Sequence, residues 1–159
     1  MSFLDNVWSV AKNKAEIAGK VIADQLLERG TNRALSLVGT SVGCQVILSI
    51  LDNLPEDCSI IQDVVLLGCP FASNSPKWGE WRQKVCNRFV VVHSENDGML
   101  AYVNRIESGI VSVSGLTGVE TEGIENYDAS DKIQSHFQYM QQIRQILLDL
   151  HFNSDLPEL

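Results

Sequence analysis

The sequence predicts an α/β fold in which a mostly parallel sheet of about four or five strands is flanked by helices. Short, continuous apolar runs alternate with longer amphipathic segments, as they do where strands are buried between two layers of helices. One of these runs leads directly into Gly39-Thr40-Ser41-Val42-Gly43. The spacing Gly-x-Ser-x-Gly is typical of a sharp turn from a strand into a helix that exposes the serine hydroxyl.

Length and composition indicate one soluble globular domain over residues 1–159, with 45% hydrophobic and 20% charged residues. No apolar stretch approaches the roughly 20 residues of a membrane span, and no secretory signal is visible. A net charge of −8 argues against nucleic acid or an anionic lipid surface as a partner. The four cysteines lack metal-ligand spacing, so we expect reduced, mostly buried thiols and a cytoplasmic protein.

The first half of the chain predicts helix, strand and helix. Apolar side chains at alternating steps of three and four residues indicate one buried helix face between residues 3 and 29, and they are Leu4, Trp8, Ala11, Ala15, Ala18, Ile22 and Leu26. Gly30 ends this helix, and the run 34–38 predicts a buried strand. After the turn, a helix with a second apolar face is stopped by Pro55.

The second half predicts three more strands, at 63–68, 88–93 and within 122–128. Ser75 and Pro76 open a short helix whose Trp78 and Trp81 pack in the core or support a pocket lid. A weak helix is expected at 99–106, and 108–123 has no clear assignment. Ser130 and Asp131 are predicted to cap a last helix with one buried face, formed by Ile133, Phe137, Met140, Leu147 and Leu150.

Three chemically competent side chains each follow a predicted strand: Ser41, Asp97 and His136. Because the carboxyl ends of parallel strands share one edge of the sheet, the three are expected to meet there. A serine nucleophile needs a base, and that base needs an orienting acid, which these residues supply in the chain order serine, acid, histidine. The backbone N–H of Val42 is the expected donor to an oxyanion.

Other residues compete for these roles. Asp97 lies in a turn-forming stretch, and three further carboxylates are candidate acids: Asp128, Asp131 and Glu95. His93 and His151 are the alternatives to His136. Gly39 and Gly43 are expected to leave room for the crossing backbone, so that Gly43→Val destabilises the protein more than Ser41→Ala does.

Five segments together carry a resemblance to a known family: "DNVWSVAKNKAEIAGKVIADQL", "LVGTSVGCQVILSIL", "VVLLGCP", "RFVVVHSENDGML" and "GIENYDASDKIQSHFQYMQQIRQIL". They resemble the α/β-hydrolase core of the transmembrane and coiled-coil domain-containing protein 4 family, also called domain of unknown function 726. The resemblance implies a serine hydrolase with Ser41, Asp97 and His136 as its catalytic triad. Longer members of that family are membrane-associated, so a membrane is expected as a partner only within a longer chain.

Only a helix precedes the strand at 34–38, whereas a complete α/β-hydrolase has further strands there. The sequence therefore resembles a truncated α/β-hydrolase without the loop that supplies a second oxyanion N–H. It is either the C-terminal half of such a domain or a natural minimal descendant of one. The predicted function is an esterase-like or lipase-like serine hydrolase acting on a small-molecule or lipid ester or thioester, with no cofactor or metal. The alternative is a non-catalytic binding or scaffold module. The uncovered strand edge predicts self-association, with a homodimer as the commonest outcome.

Overall fold

A computed structural model describes residues 3–30, 33–107 and 112–152. Four parallel strands form one sheet in the order β1-β2-β3-β4. Their bounds are Leu35–Thr40 for β1, Ile61–Leu67 for β2, Phe89–His93 for β3 and Ile124–Asp128 for β4. The predicted α/β class and the mostly parallel sheet are confirmed, and the architecture is consistent with a truncated α/β-hydrolase-like fold.

Helices connect the strands and cover both faces of the sheet. In chain order they are α1 Phe3–Arg29, α2 Val42–Asn53, α3 Lys77–Gln83, α4 Gly98–Glu107, α5 Ser114–Thr117, a 3₁₀ turn His136–Gln138 and α6 Tyr139–Asp149. The helix expected at 99–106 is therefore present as α4. Of the unassigned stretch 108–123, residues 108–111 lie outside the described residues, and α5 occupies part of the remainder.

Two apolar clusters pack against opposite faces of the sheet, because successive strand residues point to opposite sides. Val64 and Leu66 of β2 face α2 and α3, whereas Val65 and Leu67 face α6. Trp78 and Trp81 are almost fully buried in the first cluster, their rings edge-to-face with centroids 5.1 Å apart. Of the two roles predicted for this pair, packing in the core is the one observed.

The buried face of α1 differs from the predicted one. Of the predicted face, Ala15 is buried and Trp8, Ala11 and Leu26 are half-buried, whereas Ala18 and Ile22 are exposed and the side chain of Leu4 lies outside the described part of the structure. Gly19 and Ala23, which were not predicted, complete the buried face. A Cβ added to Gly19 would lie 2.4 Å from the Cβ of Ser49. Helices α1 and α2 therefore approach closely, and small residues rather than large ones line the contact.

Strand β1 lies at the edge of the sheet and pairs only with β2 among the described residues. Its predicted continuous burial is wrong, because Leu35 and Leu37 are half-buried and Val38 is 42% exposed. An apolar run alone does not reveal whether a strand has one neighbour or two. The edge that β1 leaves unpaired among the described residues is the edge predicted from the sequence.

The last helix begins later than predicted. Ser130 and Asp131 lie in the loop after β4, and Ser135 is the N-cap residue, forming a capping box with Gln138. This later start rotates the helix, so that Tyr139 and Ile146 are buried. Of the predicted face, Ile133 and Leu150 are buried and Leu147 is partly buried, whereas Phe137 and Met140 are exposed.

We expect the purified protein to self-associate through the free edge of β1, because unpaired N–H and C=O groups beside the exposed Val38 side chain can pair with a second chain. Light scattering at tens of micromolar should report a mass above that of the monomer. Val38→Lys should shift the protein toward monomer, whereas Val7→Lys, on the exposed side of α1, should not. A monomer for the unmodified protein would contradict the prediction.

Candidate active site

The carboxyl ends of three strands bring Ser41, Asp97 and His136 together. Ser41 directly follows β1, Asp97 lies four residues after β3, and His136 follows the loop that leaves β4. In the sheet, β2 lies between β1 and β3, and the loop after β4 returns across the carboxyl edge to reach Ser41. The three residues predicted from the sequence thus occupy one place in the structure.

A continuous chain of hydrogen bonds joins the three side chains. His136 Nδ1 lies 2.6 Å from Asp97 Oδ2, and His136 Nε2 lies 2.6 Å from Ser41 Oγ. An ionised carboxylate only accepts hydrogen bonds, so we assign the imidazole proton to Nδ1. Nε2 is then free to accept the hydrogen of the Ser41 hydroxyl. Asp97 is fully buried and His136 is nearly so, so water competes little for these bonds.

The backbone at Ser41 adopts the unusual conformation of a sharp strand-to-helix turn. Its φ is 53° and its ψ is −124°, in a region that residues with a side chain rarely occupy. Ser41 N–H donates to Leu67 O at 3.0 Å, and Cys44 N–H donates to Ser41 O at 3.0 Å. These bonds to β2 and α2 hold a conformation that costs about 1–3 kcal/mol.

The two glycines of the turn differ in their surroundings. A Cβ on Gly39 would lie 2.7 Å from Ile47 Cδ1 and 3.0 Å from the carbonyl group of Gly43. A Cβ on Gly43 would meet nothing within 4 Å. The expectation that Gly43 leaves room for crossing backbone is therefore wrong, and Gly39 alone has that role.

This difference predicts opposite effects of two matched substitutions on the free energy of unfolding. Gly39→Ala should lower it by about 1–3 kcal/mol, since the added methyl overpacks the turn against α2. Gly43→Ala should leave it unchanged or raise it by up to about 1 kcal/mol, because alanine is the better helix former and has space. Urea denaturation of both variants measures the difference. Equal losses would contradict this reading of the turn.

Val42 is the first residue of α2, and the first turn of a helix leaves its N–H groups without intrahelical partners. The Val42 amide, adjacent to Ser41, is therefore placed to donate to a negatively charged oxygen formed at the serine. Among the described residues, β1 has no neighbour on its outer side that would add a second donor from that direction.

Several residues that sequence reasoning missed hold Asp97 and its loop in place. Asp97 Oδ1 accepts from Leu100 N–H at 3.0 Å, so the same carboxylate that contacts His136 also caps the start of α4. Ser94 Oγ donates to Ile133 O at 2.8 Å and ties the β3 loop to the β4 loop. Asp97 can therefore serve both as a turn residue and as the acid that contacts His136.

The ring of Tyr139 packs edge-to-face against the imidazole of His136, with centroids 5.9 Å apart. Gly68 makes space for it, because a Cβ there would lie 2.5 Å from Tyr139 Cε2, and its φ of +60° also favours glycine. Burial and the nearby Asp97 carboxylate raise the pKa of Tyr139, so the phenol stays neutral. This neighbour of His136 was not predictable, since it depends on where α6 begins.

The competing residues have other partners or positions. Asp128 accepts hydrogen bonds from Ser130, which lower the pKa of its carboxyl group, and Asp131 pairs with Lys132 at 2.9 Å. The Glu95 side chain is exposed. His93 ends β3, and His151 follows α6. The hydrogen bonds that Ser41 makes with described residues are to Leu67, Cys44 and His136, and none is to these five residues.

The four cysteines are free, as expected, with Cys44 and Cys69 buried, Cys58 partly buried and Cys86 exposed. Burial raises the pKa of the Cys44 thiol, so it is a poor nucleophile although it lies one helical turn from Ser41. Within the described ranges, no group of three or more His, Cys, Asp or Glu side chains is arranged to hold a metal ion.

Comparison with protein families places the chain. Residues 1–153 match the family described as "Protein of unknown function (DUF726)". The chain belongs to this family. The match includes Ser41, Asp97 and His136, and it extends through all four strands of the sheet.

Curated relatives of this DUF726 chain are much longer proteins. It is 33% identical over 160 residues to "Transmembrane and coiled-coil domain-containing protein STS1" of Oryza sativa subsp. japonica, a match that covers 98% of this chain and 24% of the relative. It is 36% identical over 149 residues to "Probable lipase MIL1" of Saccharomyces cerevisiae, covering 91% of this chain and 14% of that protein. It is 29% identical to "Uncharacterized membrane protein F35D11.3" of Caenorhabditis elegans, covering 92% of this chain and 25% of the relative.

This DUF726 chain therefore spans about a quarter or less of the length of these relatives. Two of them carry membrane terms in their names, whereas no helix among the residues described for this chain is long and apolar enough to cross a bilayer. No solved structure matches the chain.

Proposed function

We propose that this protein is a lipase-like serine hydrolase that cleaves a carboxylic ester or thioester. Ser41 is the nucleophile, His136 is the general base and then the general acid, and Asp97 orients His136. The Val42 N–H stabilises the oxyanion. The observation that carries the proposal is the pair of 2.6 Å hydrogen bonds that links Ser41 through His136 to a buried carboxylate.

The proposed reaction proceeds in two stages. Ser41 Oγ attacks the carbonyl carbon while His136 Nε2 takes the hydroxyl proton, and the tetrahedral oxyanion accepts a hydrogen bond from Val42 N–H. His136 then returns the proton to the departing alcohol or thiol, leaving an acyl group on Ser41. Water, deprotonated by the same imidazole, attacks this acyl-enzyme. The imidazolium then returns the proton to Ser41 Oγ as the acyl–oxygen bond breaks, which releases the carboxylic acid and restores the serine. Asp97 stays ionised and stabilises the imidazolium formed in each stage.

Two further observations support this function. The strained backbone of Ser41 is a cost to folding, and such conformations are concentrated at functional sites. A relative that shares 36% of its aligned residues is named a probable lipase. We propose that the substrate is a small-molecule or lipid ester, that residues 1–159 act as one domain, that the site uses no cofactor, and that the protein acts in the cytoplasm or at a membrane within longer chains.

A non-catalytic scaffold is the second candidate, favoured by the position of β1. As an edge strand it has no described neighbour to complete the oxyanion site, and the loss of one such donor costs about 10²–10³ in rate.

A fluorophosphonate probe distinguishes the two candidates. The folded protein should become covalently modified, and mass spectrometry of its peptides should locate the phosphonyl group on Ser41. Heat-denatured protein is the control, because labelling of an activated serine requires the assembled hydrogen bonds to His136. Folded protein that remains unmodified after prolonged incubation would contradict the hydrolase and favour the scaffold.

A further inference from the structure

Two large apolar side chains stand exposed beside Ser41 and His136. Phe137 is 75% exposed and Met140 is 66% exposed, although the sequence pattern predicts both to be buried. They are three residues apart across the start of α6, so they share one face of the chain there. Large apolar side chains that are exposed together indicate a binding surface more often than isolated ones do.

Direct contacts connect Phe137 to His136 and Met140 to the residue before Ser41. The Phe137 ring lies edge-to-face with the His136 imidazole, with centroids 6.1 Å apart. Met140 Sδ accepts a hydrogen bond of 3.4 Å from the hydroxyl of Thr40, the residue before Ser41. A molecule bonded to Ser41 Oγ therefore has Phe137 on its histidine side and Met140 beside the end of β1.

The apolar surface continues along β1. Val38, 42% exposed, shares a strand face with Thr40 and lies two residues, about 7 Å, further from Ser41. We call Val38, Phe137 and Met140 the rim patch. It leads from the serine hydroxyl outward over the free edge of the sheet.

We propose that the rim patch binds the acyl chain of the substrate, so that the site prefers long-chain acyl esters to acetate esters. This inference rests on the proposed function, because it takes Ser41 as the atom to which the acyl carbonyl is bonded. The carbonyl carbon is then fixed at Ser41 Oγ, and a chain longer than acetate must leave along a neighbouring surface. The flexible Met140 thioether adapts to a chain of variable conformation, and the Phe137 ring provides a flat wall.

The preference has an expected size. A methylene fully removed from water strengthens binding about fourfold, which corresponds to about 0.8 kcal/mol. An open surface removes roughly half of that area, so about twofold per methylene is expected. Six added methylenes, from acetate to octanoate, then predict a kcat/KM ratio of about 50 in favour of octanoate.

The test compares p-nitrophenyl acetate with p-nitrophenyl octanoate for three proteins. The unmodified chain should show the octanoate preference. The double variant Phe137→Ser with Met140→Ser should lose most of the preference, because its rate with octanoate should fall much more than its rate with acetate. Leu148→Ser is the matched control, an exposed apolar position on the same helix two turns beyond Met140, and it should change neither value. A double variant that retains the preference, or an unmodified chain that hydrolyses both esters equally, overturns the proposal.

A binding measurement separates this proposal from the proposed function. Dodecanoate, titrated calorimetrically into the Ser41→Ala variant, should bind, and the two serine substitutions in the rim patch should weaken that binding at least tenfold. If neither ester is hydrolysed but dodecanoate binding depends on the rim patch, the hydrolase fails while the acyl site stands. If both esters are hydrolysed equally, the acyl site fails while the hydrolase stands. Co-sedimentation with phosphatidylcholine vesicles tests a further alternative. If the double variant keeps the octanoate preference and dodecanoate binding but no longer sediments with the vesicles, the rim patch docks on bilayers and the acyl-chain proposal is wrong.

Discussion

Replacing Ser41 with alanine is expected to lower the rate of ester hydrolysis by about 10⁴-fold or more and to abolish fluorophosphonate labelling. The substitution removes the hydroxyl oxygen that lies 2.6 Å from His136 Nε2, and no acyl-enzyme can form without it. The fold should persist, because alanine meets the same backbone requirement at φ 53° and loses only one partly buried hydroxyl.

Two matched variants complete this prediction. Ser9→Ala, at an exposed position of α1, should leave hydrolysis unchanged. Asp97→Asn should lower the rate by about 10⁴-fold, because an amide of nearly the same shape no longer holds the imidazole with its proton on Nδ1. Hydrolysis and labelling are measured on proteins whose melting curves match that of the unmodified chain. Activity retained by Ser41→Ala would remove Ser41 from the mechanism.

Replacing Trp78 with alanine is expected to lower the free energy of unfolding by about 3–5 kcal/mol. Trp78 is fully buried, its Nε1–H donates to Ala72 O at 2.8 Å, and its ring packs edge-to-face against Trp81 and Phe89. Truncation leaves a large cavity between α3 and the sheet and removes the indole hydrogen bond to Ala72 O. This is the largest change in stability that we expect from a single side chain of the described core.

Urea denaturation followed by far-UV circular dichroism measures the loss. Phe137→Ala is the control, since it truncates another aromatic side chain that is 75% exposed, and it should change the free energy of unfolding by less than about 0.5 kcal/mol. A loss below about 1 kcal/mol for Trp78→Ala would mean that the Trp78 pocket collapses around the smaller residue or that the pair packs less tightly than described.

The central part of the fold was predictable because its strands carry unambiguous signals. β2 and β3 are buried on both faces, and such strands are continuous apolar runs, as 63–68 and 88–93 are. The positions of Ser41 and Asp97 followed from the rule that side chains after parallel strands meet at one edge of the sheet. That rule depends only on strand direction, so errors of one or two residues in strand ends did not affect it.

The residue at which α6 begins, and therefore its buried side, was not predictable because the sequence contains two competing helix-start signals. Ser130-Asp131 and Ser135 with Gln138 both have the composition of a helix start, and only the tertiary contacts of the loop after β4 select the second. The buried side of α6, the position of Tyr139 beneath His136 and the exposure of Phe137 and Met140 all follow from that selection.

The prediction of the buried face of α1 was partly wrong for a different reason. The predicted stripe contained Ala15 but not Gly19 or Ala23, because an apolar stripe does not show where a contact such as that with α2 requires small residues that let two backbones approach. The turn at Ser41 shows the same limit. Its sequence pattern contains two glycines, and only the packing around them distinguishes Gly39, where a side chain would clash, from Gly43, where it would not.

The left-handed backbone at Ser41 also bears on how this chain drifts when selection changes. Glycine adopts that conformation without strain, so the exchange Ser41→Gly would raise stability by about the 1–3 kcal/mol that the serine costs. A lineage that no longer needed the hydroxyl would gain from that exchange at every generation in which folding was limiting. Serine is therefore expected to persist at this position only while its hydroxyl is needed. A descendant that has become a pure scaffold should carry glycine here.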